Sequence, residues 1–185
     1  MNIISSDVFP EVFIIEPDVF SDKRGYFLEI FNLQKYKEKC IPSNFVQDNL
    51  SLSFRGVLRG LHYQIEKQQA KLVSVIDGEV FDVAADIRKG SPSFGKWTGV
   101  FLSGGNHRQL FIPEGFAHGF CVLSEKAIFT YKCSDFYSSK AERGIIWNDN
   151  LINIDWPTTC PIISEKDNLF PSLSEIPESD LPVYK

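Results

Sequence analysis

No apolar run in this 185-residue chain approaches the ~20 residues that cross a bilayer, so the sequence contains no membrane-spanning helix. Histidine is scarce, three residues in all, and no His-x-His pair occurs. The paired-histidine strand typical of a metal-binding β-barrel is therefore missing. The four cysteines, Cys40, Cys121, Cys133 and Cys160, include no Cys-x-x-Cys spacing, which argues against a zinc ribbon or a redox pair. There is no excess of positive charge either. A formal net charge of −5 argues against a nucleic-acid partner, while leaving room for a small anion held by a few local Arg and Lys side chains. Gly-x-Ser-x-Gly, Gly-x-Gly-x-x-Gly and phosphate-loop patterns are absent, which removes the common serine-hydrolase and nucleotide-loop classes. The first residues, MNIISSDVF, lack a basic stretch followed by an apolar one, so the expected compartment is the cytoplasm, with the thiols free.

The chain does have enough length and apolar content for one well-cored domain spanning 1–185, and an unusual number of phenylalanines, 16. Strand signals dominate: 12–15, 25–31, 44–53, 71–76, 79–87, 97–103, 108–112, 119–124 and 127–134. Turn residues separate many of them, among them Gly90-Ser91-Pro92, Gly104-Gly105-Asn106 and Pro113-Glu114-Gly115. Asp77-Gly78 reads as a hairpin turn joining 71–76 to 79–87. LQKYKEKC (33–40) is the one helical pattern before residue 160, and the last 25 residues look irregular. Many short strands without alternating helices predict an all-β antiparallel sandwich or barrel.

Six places carry candidate chemistry. GVLRGLHYQ (56–64) sets His62 three residues after Arg59, with Gly60 between them allowing close approach of a ligand to the backbone. In KLVSVI, Lys71 shares a strand face with Val73 and Val75. A lysine on that face is costly in a dry core unless it sits at a solvated strand end. DKRGYFLEIF (22–31) places Arg24 and Glu29 around a strand start, where a surface ion pair is the plain alternative. QDN (47–49) leads into a strand with three polar side chains, and in IPEGFAHGF (112–120) the small Ala117 and Gly119 leave space around His118. SEKD (164–167) joins Lys166 to Asp167 in an otherwise plain tail. A metal held by His62, His118 and a carboxylate is the competing use of the same histidines.

GVLRGLHYQ, QAKLVSVIDGEVFDVAADIRKGSPSFGKW (69–97), RQLFIPEGFAHGF (108–120), NIDWP (153–157) and SEKD together closely resemble the dTDP-4-dehydrorhamnose 3,5-epimerase family. The match runs in order from about residue 10 to about residue 172, with Ser93 where Thr is usual and Phe111 where Trp is frequent. The resemblance implies a cupin-like jelly roll without metal or organic cofactor, working as a homodimer. The Ile- and Phe-rich segment VFIIEPDVF (12–20) suits pairing with a partner's sheet edge.

The implied substrate is a dTDP-linked 4-keto-6-deoxyhexose, inverted at C3 and C5. Both carbons lie α to the C4 ketone, so loss of either proton gives an enolate, and reprotonation from the other face inverts the centre. On this resemblance His62 is the base and Asp167 its partner. Tyr131 matches the proton-returning acid, and Lys71 a cation for the developing oxyanion or the diphosphate. Arg24, Glu29, Gln47, Asp48, Asn49, Arg59, His118, Glu142 and Lys166 match substrate-binding positions, and Tyr137 a ring that stacks on thymine. The residues alone do not rank Tyr131 and Tyr137 as acid, since both sit six apart around one strand end. Three rivals accompany this reading: a single-centre epimerase, a sugar-nucleotide binder without activity, and a metal-dependent cupin dioxygenase.

Overall fold

The computed structural model describes residues 1–38, 41 and 44–184; Cys40 and the end of the 33–40 helical pattern lie outside the described residues. The chain order begins β1 (Asn2–Ser5), β2 (Phe13–Glu16), β3 (Val19–Asp22), β4 (Gly25–Leu28) and α1 (Leu33–Glu38). It continues through β5 (Gln47–Phe54), β6 (Leu58–Gln64), β7 (Lys71–Asp77), β8 (Glu79–Asp86), β9 (Trp97–Ser103), β10 (Gln109–Ile112), β11 (Phe116–Val122) and β12 (Lys126–Cys133). A short β13 (Glu142–Gly144) and α2 (Glu165–Asn168) follow. Two antiparallel sheets face each other, one ordered β1-β2-β10-β7-β12-β5 and the other β13-β6-β11-β8-β9, while β3 and β4 form a separate hairpin. This is the cupin-like jelly roll expected.

Strict alternation sorts the side chains. Val73, Val75, Leu110, Ile112 and Phe129 of the first sheet meet Val80, Ala84, Val100, Phe116, Phe120 and Val122 of the second, and the Phe120 and Phe129 rings stack across the gap at 4.1 Å. Each such fully buried side chain contributes about 1.5–3 kcal/mol. The intervening residues face outward: Leu72 and Phe111 pack with Tyr36 of α1 and Ile41. Leu61, Tyr63, Val83 and Ala85 are covered by Ile145, Ile152, Leu173 and Leu181, so the irregular C-terminal region closes the back of the second sheet.

Two sequence expectations are corrected here. Asp77-Gly78 does not close a hairpin, because β7 pairs with β10 and β12 whereas β8 pairs with β11 and β9. It is the corner at which the chain passes between sheets. Gly78 has φ +85°, and a Cβ there would lie 2.1 Å from the Lys126 carbonyl oxygen. A local turn signal records the sharp reversal but not which sheet the next strand joins. Nor is the β2 part of the 12–20 segment free to pair with a partner, since it is bonded to β1 on one side and β10 on the other, whereas Val19 and Phe20 lie in β3, which pairs only with β4.

Gly60 also serves a different end from the one its sequence suggests. The close approach is to the neighbouring strand: a Cβ would stand 2.6 Å from the His118 carbonyl oxygen and 2.7 Å from the Gly119 Cα, at φ +110°. The β6–β11 register slips here, with His62 opposite His118 but Arg59 opposite Phe120. In a regular strand, residues three apart point to opposite faces. The slip turns both Arg59 and His62 toward the same cavity. Gly60→Ala is therefore expected to cost about 2–5 kcal/mol, combining left-handed backbone strain with overpacking. A thermal midpoint unchanged from wild type would contradict it.

Candidate active site

At one end of the sandwich the two sheets part around a cavity of about 450 Å³. The first sheet contributes Lys71, Tyr131, Cys133 and the inward residues of β5, and the second contributes Arg59, His62 and His118. Edge strand β5 inverts the usual pattern. Gln47, Asn49, Ser51 and Ser53 face in, while Leu50, Leu52 and Phe54 are exposed at 69%, 48% and 62%. A polar inner face on an edge strand is what a wetted ligand site needs.

His62 Nε2 lies 2.9 Å from Asp167 Oδ1, and Asp167 Oδ2 accepts the Gly60 N–H at 3.1 Å. Asp167 is placed by α2, whose first turn is capped by Ser164 Oγ accepting the Asp167 N–H at 3.0 Å. Phe170 closes the far side, its ring edge-on to the imidazole at 5.7 Å and seated over Gly144. With Nε2–H donating to the carboxylate, a neutral ring keeps its lone pair on Nδ1.

Burial opposes the Asp167 charge, but the bonds from His62, Gly60 and Ser164 outweigh it and hold the carboxyl below its usual range. A carboxyl depressed in the folded state stabilises the fold above the unfolded value of about 3.9, and that contribution is lost as pH falls toward the lower folded value. The gap in thermal midpoint between wild type and Asp167→Asn should thus narrow below about pH 4. A gap constant through that window would show that these bonds add no net stability.

Across the cavity, Tyr131 projects from β12 toward the second sheet, packed beside Phe129 at 6.0 Å. Burial pushes its hydroxyl pKa up, so it remains protonated. Tyr137 differs: it lies half out of the cavity mouth, 52% exposed, with its hydroxyl donating to Glu142 Oε2 at 2.8 Å. Glu142 also takes Lys166 Nζ at 2.7 Å, and the Tyr137 N–H donates to Gln47 Oε1 at 2.9 Å. The mouth is thus a linked polar rim around an aromatic ring. Lys71, the first residue of β7, does lie on the face of Val73 and Val75, where it is half-buried in the cavity wall. Burial lowers its pKa, and no carboxylate among the described residues lies within ion-pair distance of it.

The structure gathers His62, Tyr131, Asp167, Lys71, Gln47, Asn49, Arg59, His118, Tyr137 and Glu142 at or directly behind this cavity, with Lys166 on its rim. Three sequence candidates fall elsewhere. Asp48 points outward between its two inward neighbours and bonds Lys132 at 2.9 Å, as a period of two requires. Arg24 and Glu29 sit on and just after the exposed hairpin, paired with Asp22 and Lys35 and not with each other, and neither lines the cavity. His118 is not ringed by space: it is 7% exposed, and Gly119 lets the strand approach the Arg59 carbonyl oxygen. Its Nε2 bonds Asp82, which the sequence reading missed although a charge inside EVFDVAADI was the visible signal. Cys133 and Ser51, also in the wall, carried no such signal.

Comparison with known proteins identifies the family. The dTDP-4-dehydrorhamnose 3,5-epimerase family model matches residues 7–175. A Shigella flexneri dTDP-4-dehydrorhamnose 3,5-epimerase is 59% identical over 170 residues, covering 90% of this chain and 93% of the relative. A Streptomyces niveus dTDP-4-dehydrorhamnose 3-epimerase is 38% identical over 176 residues, covering 94% and 85%. The crystal structure of the Legionella pneumophila dTDP-6-deoxy-D-glucose-3,5-epimerase, in complex with dTDP-4-keto-L-rhamnose, superposes with a TM-score of 0.97 at 52% identity, over 100% of this chain and 98% of that one. On sequence and fold alike, this chain belongs to the dTDP-4-dehydrorhamnose 3,5-epimerase family.

Proposed function

We propose that this chain inverts C3 and C5 of dTDP-4-dehydro-6-deoxy-D-glucose, giving dTDP-4-dehydro-L-rhamnose, with no cofactor. The observation that carries the reading is a carboxylate-held histidine facing a partly buried tyrosine from the opposite sheet across one cavity. His62 takes the proton from the carbon α to the C4 ketone, and the C–H electron pair moves into a C4 enolate. Asp167 orients the ring and stabilises the imidazolium that forms. Tyr131 returns a proton from the other face, and the enolate collapses to the inverted ketone. Lys71 faces the charge that develops on the C4 oxygen. Arg59, fixed by its Nε–H to Ser53 Oγ at 3.0 Å, is suited to the diphosphate. Tyr137 offers its ring to thymine, with Gln47, Asn49, His118, Glu142 and Lys166 as further contacts.

Arg24 and Glu29 fit this scheme only if they serve a neighbour's cavity. The hairpin that carries Arg24 exposes Phe20 at 64% and Phe27 at 69%, and edge strand β5 exposes an apolar outer face. Exposed apolar area of this kind favours association, so a homodimer sharing its sites is part of the proposal. A monomer at micromolar concentration in light scattering would overturn it. Free Cys121, Cys133 and Cys160 suit a reducing compartment, for which we assign the cytoplasm.

Incubation with dTDP-4-keto-6-deoxyglucose in deuterated water, followed by NMR, tests the reaction. Deuterium at C3 and C5 of an inverted product is expected. Label and inversion at C3 alone would favour the activity named for the Streptomyces relative, and no label at all would reduce the chain to a binder.

A further inference from the structure

Tyr137 reaches the cavity mouth from the loop that follows β12. From Asp135 to Tyr137 no main-chain group bonds another main-chain group among the described residues. Phe136 and Tyr137 are 57% and 52% exposed, so little packing holds either ring. A segment with few main-chain bonds and little buried apolar surface opens easily. Side-chain amides supply what the main chain lacks.

Three glutamines from separate parts of the chain hold this loop. Gln64, the last residue of β6, grips it twice: its Oε1 accepts the Ser138 N–H at 2.6 Å, and its Nε2 donates to the Phe136 carbonyl oxygen at 3.3 Å. The peptide bonds on either side of Tyr137 are therefore held by one amide. Gln47 takes the Tyr137 N–H, and Gln69 Nε2 donates to the Asp135 carbonyl oxygen at 2.8 Å. The other Gln64 Nε2 hydrogen goes to the Lys67 carbonyl oxygen at 2.7 Å, in the turn that leads to Gln69. A glutamine amide carries two N–H donors, and here the protein uses both. Gln64 lines the cavity at 7% exposure, yet it has no N–H left to offer a ligand.

We propose that Gln64 is a positioning residue for nucleotide recognition: by gripping the peptide bonds that flank Tyr137, it fixes the exposed ring where a base stacks, without touching substrate. The inference rests on the role given to Tyr137 above. Ordering a mobile loop at the moment of binding weakens affinity, and a loop ordered in advance avoids that loss. His62 and Tyr131 are held by other contacts, so the effect falls on nucleotide binding and not on proton transfer.

The test is Gln64→Met, which is uncharged and close in length but cannot make these bonds. KM for dTDP-4-keto-6-deoxyglucose and the calorimetric Kd for dTDP are expected to rise roughly tenfold. The kcat value should stay within about twofold of wild type. Inorganic diphosphate has no base to stack and should bind both proteins alike. Unchanged dTDP affinity, or equal weakening for diphosphate, would overturn the proposal. In a Tyr137→Ala background the ring is already gone, so adding Gln64→Met should weaken dTDP no further. A full additional loss there would show that Gln64 acts by another route. Should Gln64→Met not fold, Gln69→Met frees only the Asp135 carbonyl oxygen. It should weaken dTDP in the same direction, again without effect beside Tyr137→Ala, and an additive loss would overturn the proposal. Tyr137→Ala that binds dTDP like wild type would defeat the stacking role and this inference with it. Weakened Tyr137→Ala beside an unaltered Gln64→Met would defeat Gln64 alone.

Discussion

His62→Asn is expected to abolish deuterium exchange at both carbons of the sugar while leaving dTDP binding close to wild type. A positioned general base contributes ~10²–10⁴ in rate, so exchange should fall by at least that factor. The asparagine fits the space between Asp167 and Phe170 and keeps a polar group beside the carboxylate, so the fold is not at stake. Binding survives because the nucleotide contacts proposed here, Tyr137, Gln47, Asn49 and Arg59, stand on other parts of the wall. The measurement is single-turnover exchange in deuterated water beside calorimetry with dTDP. Exchange near the wild-type rate would move the base elsewhere in the cavity.

Tyr131→Phe should separate proton removal from inversion. The ring, and with it the contact to Phe129, is retained, and only the hydroxyl is deleted. His62 can still form the enolate and return a proton to the face it came from. Deuterium should therefore wash into the starting sugar, while inverted product falls by ~10² or more. Tyr137→Phe should keep inversion, since its hydroxyl is bonded to Glu142 at the mouth and its proposed role needs only the ring. Normal inversion by Tyr131→Phe together with its loss in Tyr137→Phe would exchange the two roles.

The contrast between the two tyrosines marks how far the residues alone could be read. Their spacing left either as the acid. The fold separates them by environment, one partly buried against Phe129 across the cavity from His62 and the other half exposed on a polar rim. Asp167 shows the same gap from the other side. Nothing in SEKD states that a four-residue helix, capped by Ser164, delivers its carboxylate to a strand more than 100 positions earlier.

Alternation, turn chemistry and composition were legible because they are local. Period-two patterns and Gly or Pro punctuation located most strands and the all-β class, and put Lys71 on the face of Val73 and Val75. Blocks such as GVLRGLHYQ, RQLFIPEGFAHGF and SEKD carry the resemblance to the family in sequence alone. Asp77-Gly78, Gly60 and Asp48 were decided by tertiary structure alone. Whether a sharp turn closes a hairpin or crosses between sheets depends on which partner strand offers free N–H and C=O groups. Whether residues three apart share a cavity depends on a register slip against β11, and whether a polar side chain in QDN faces ligand or solvent depends on which face of β5 the second sheet covers. These are facts about pairs of distant segments. A single segment's sequence carries its own preferences, and the choice among compatible pairings is made only when the whole core closes.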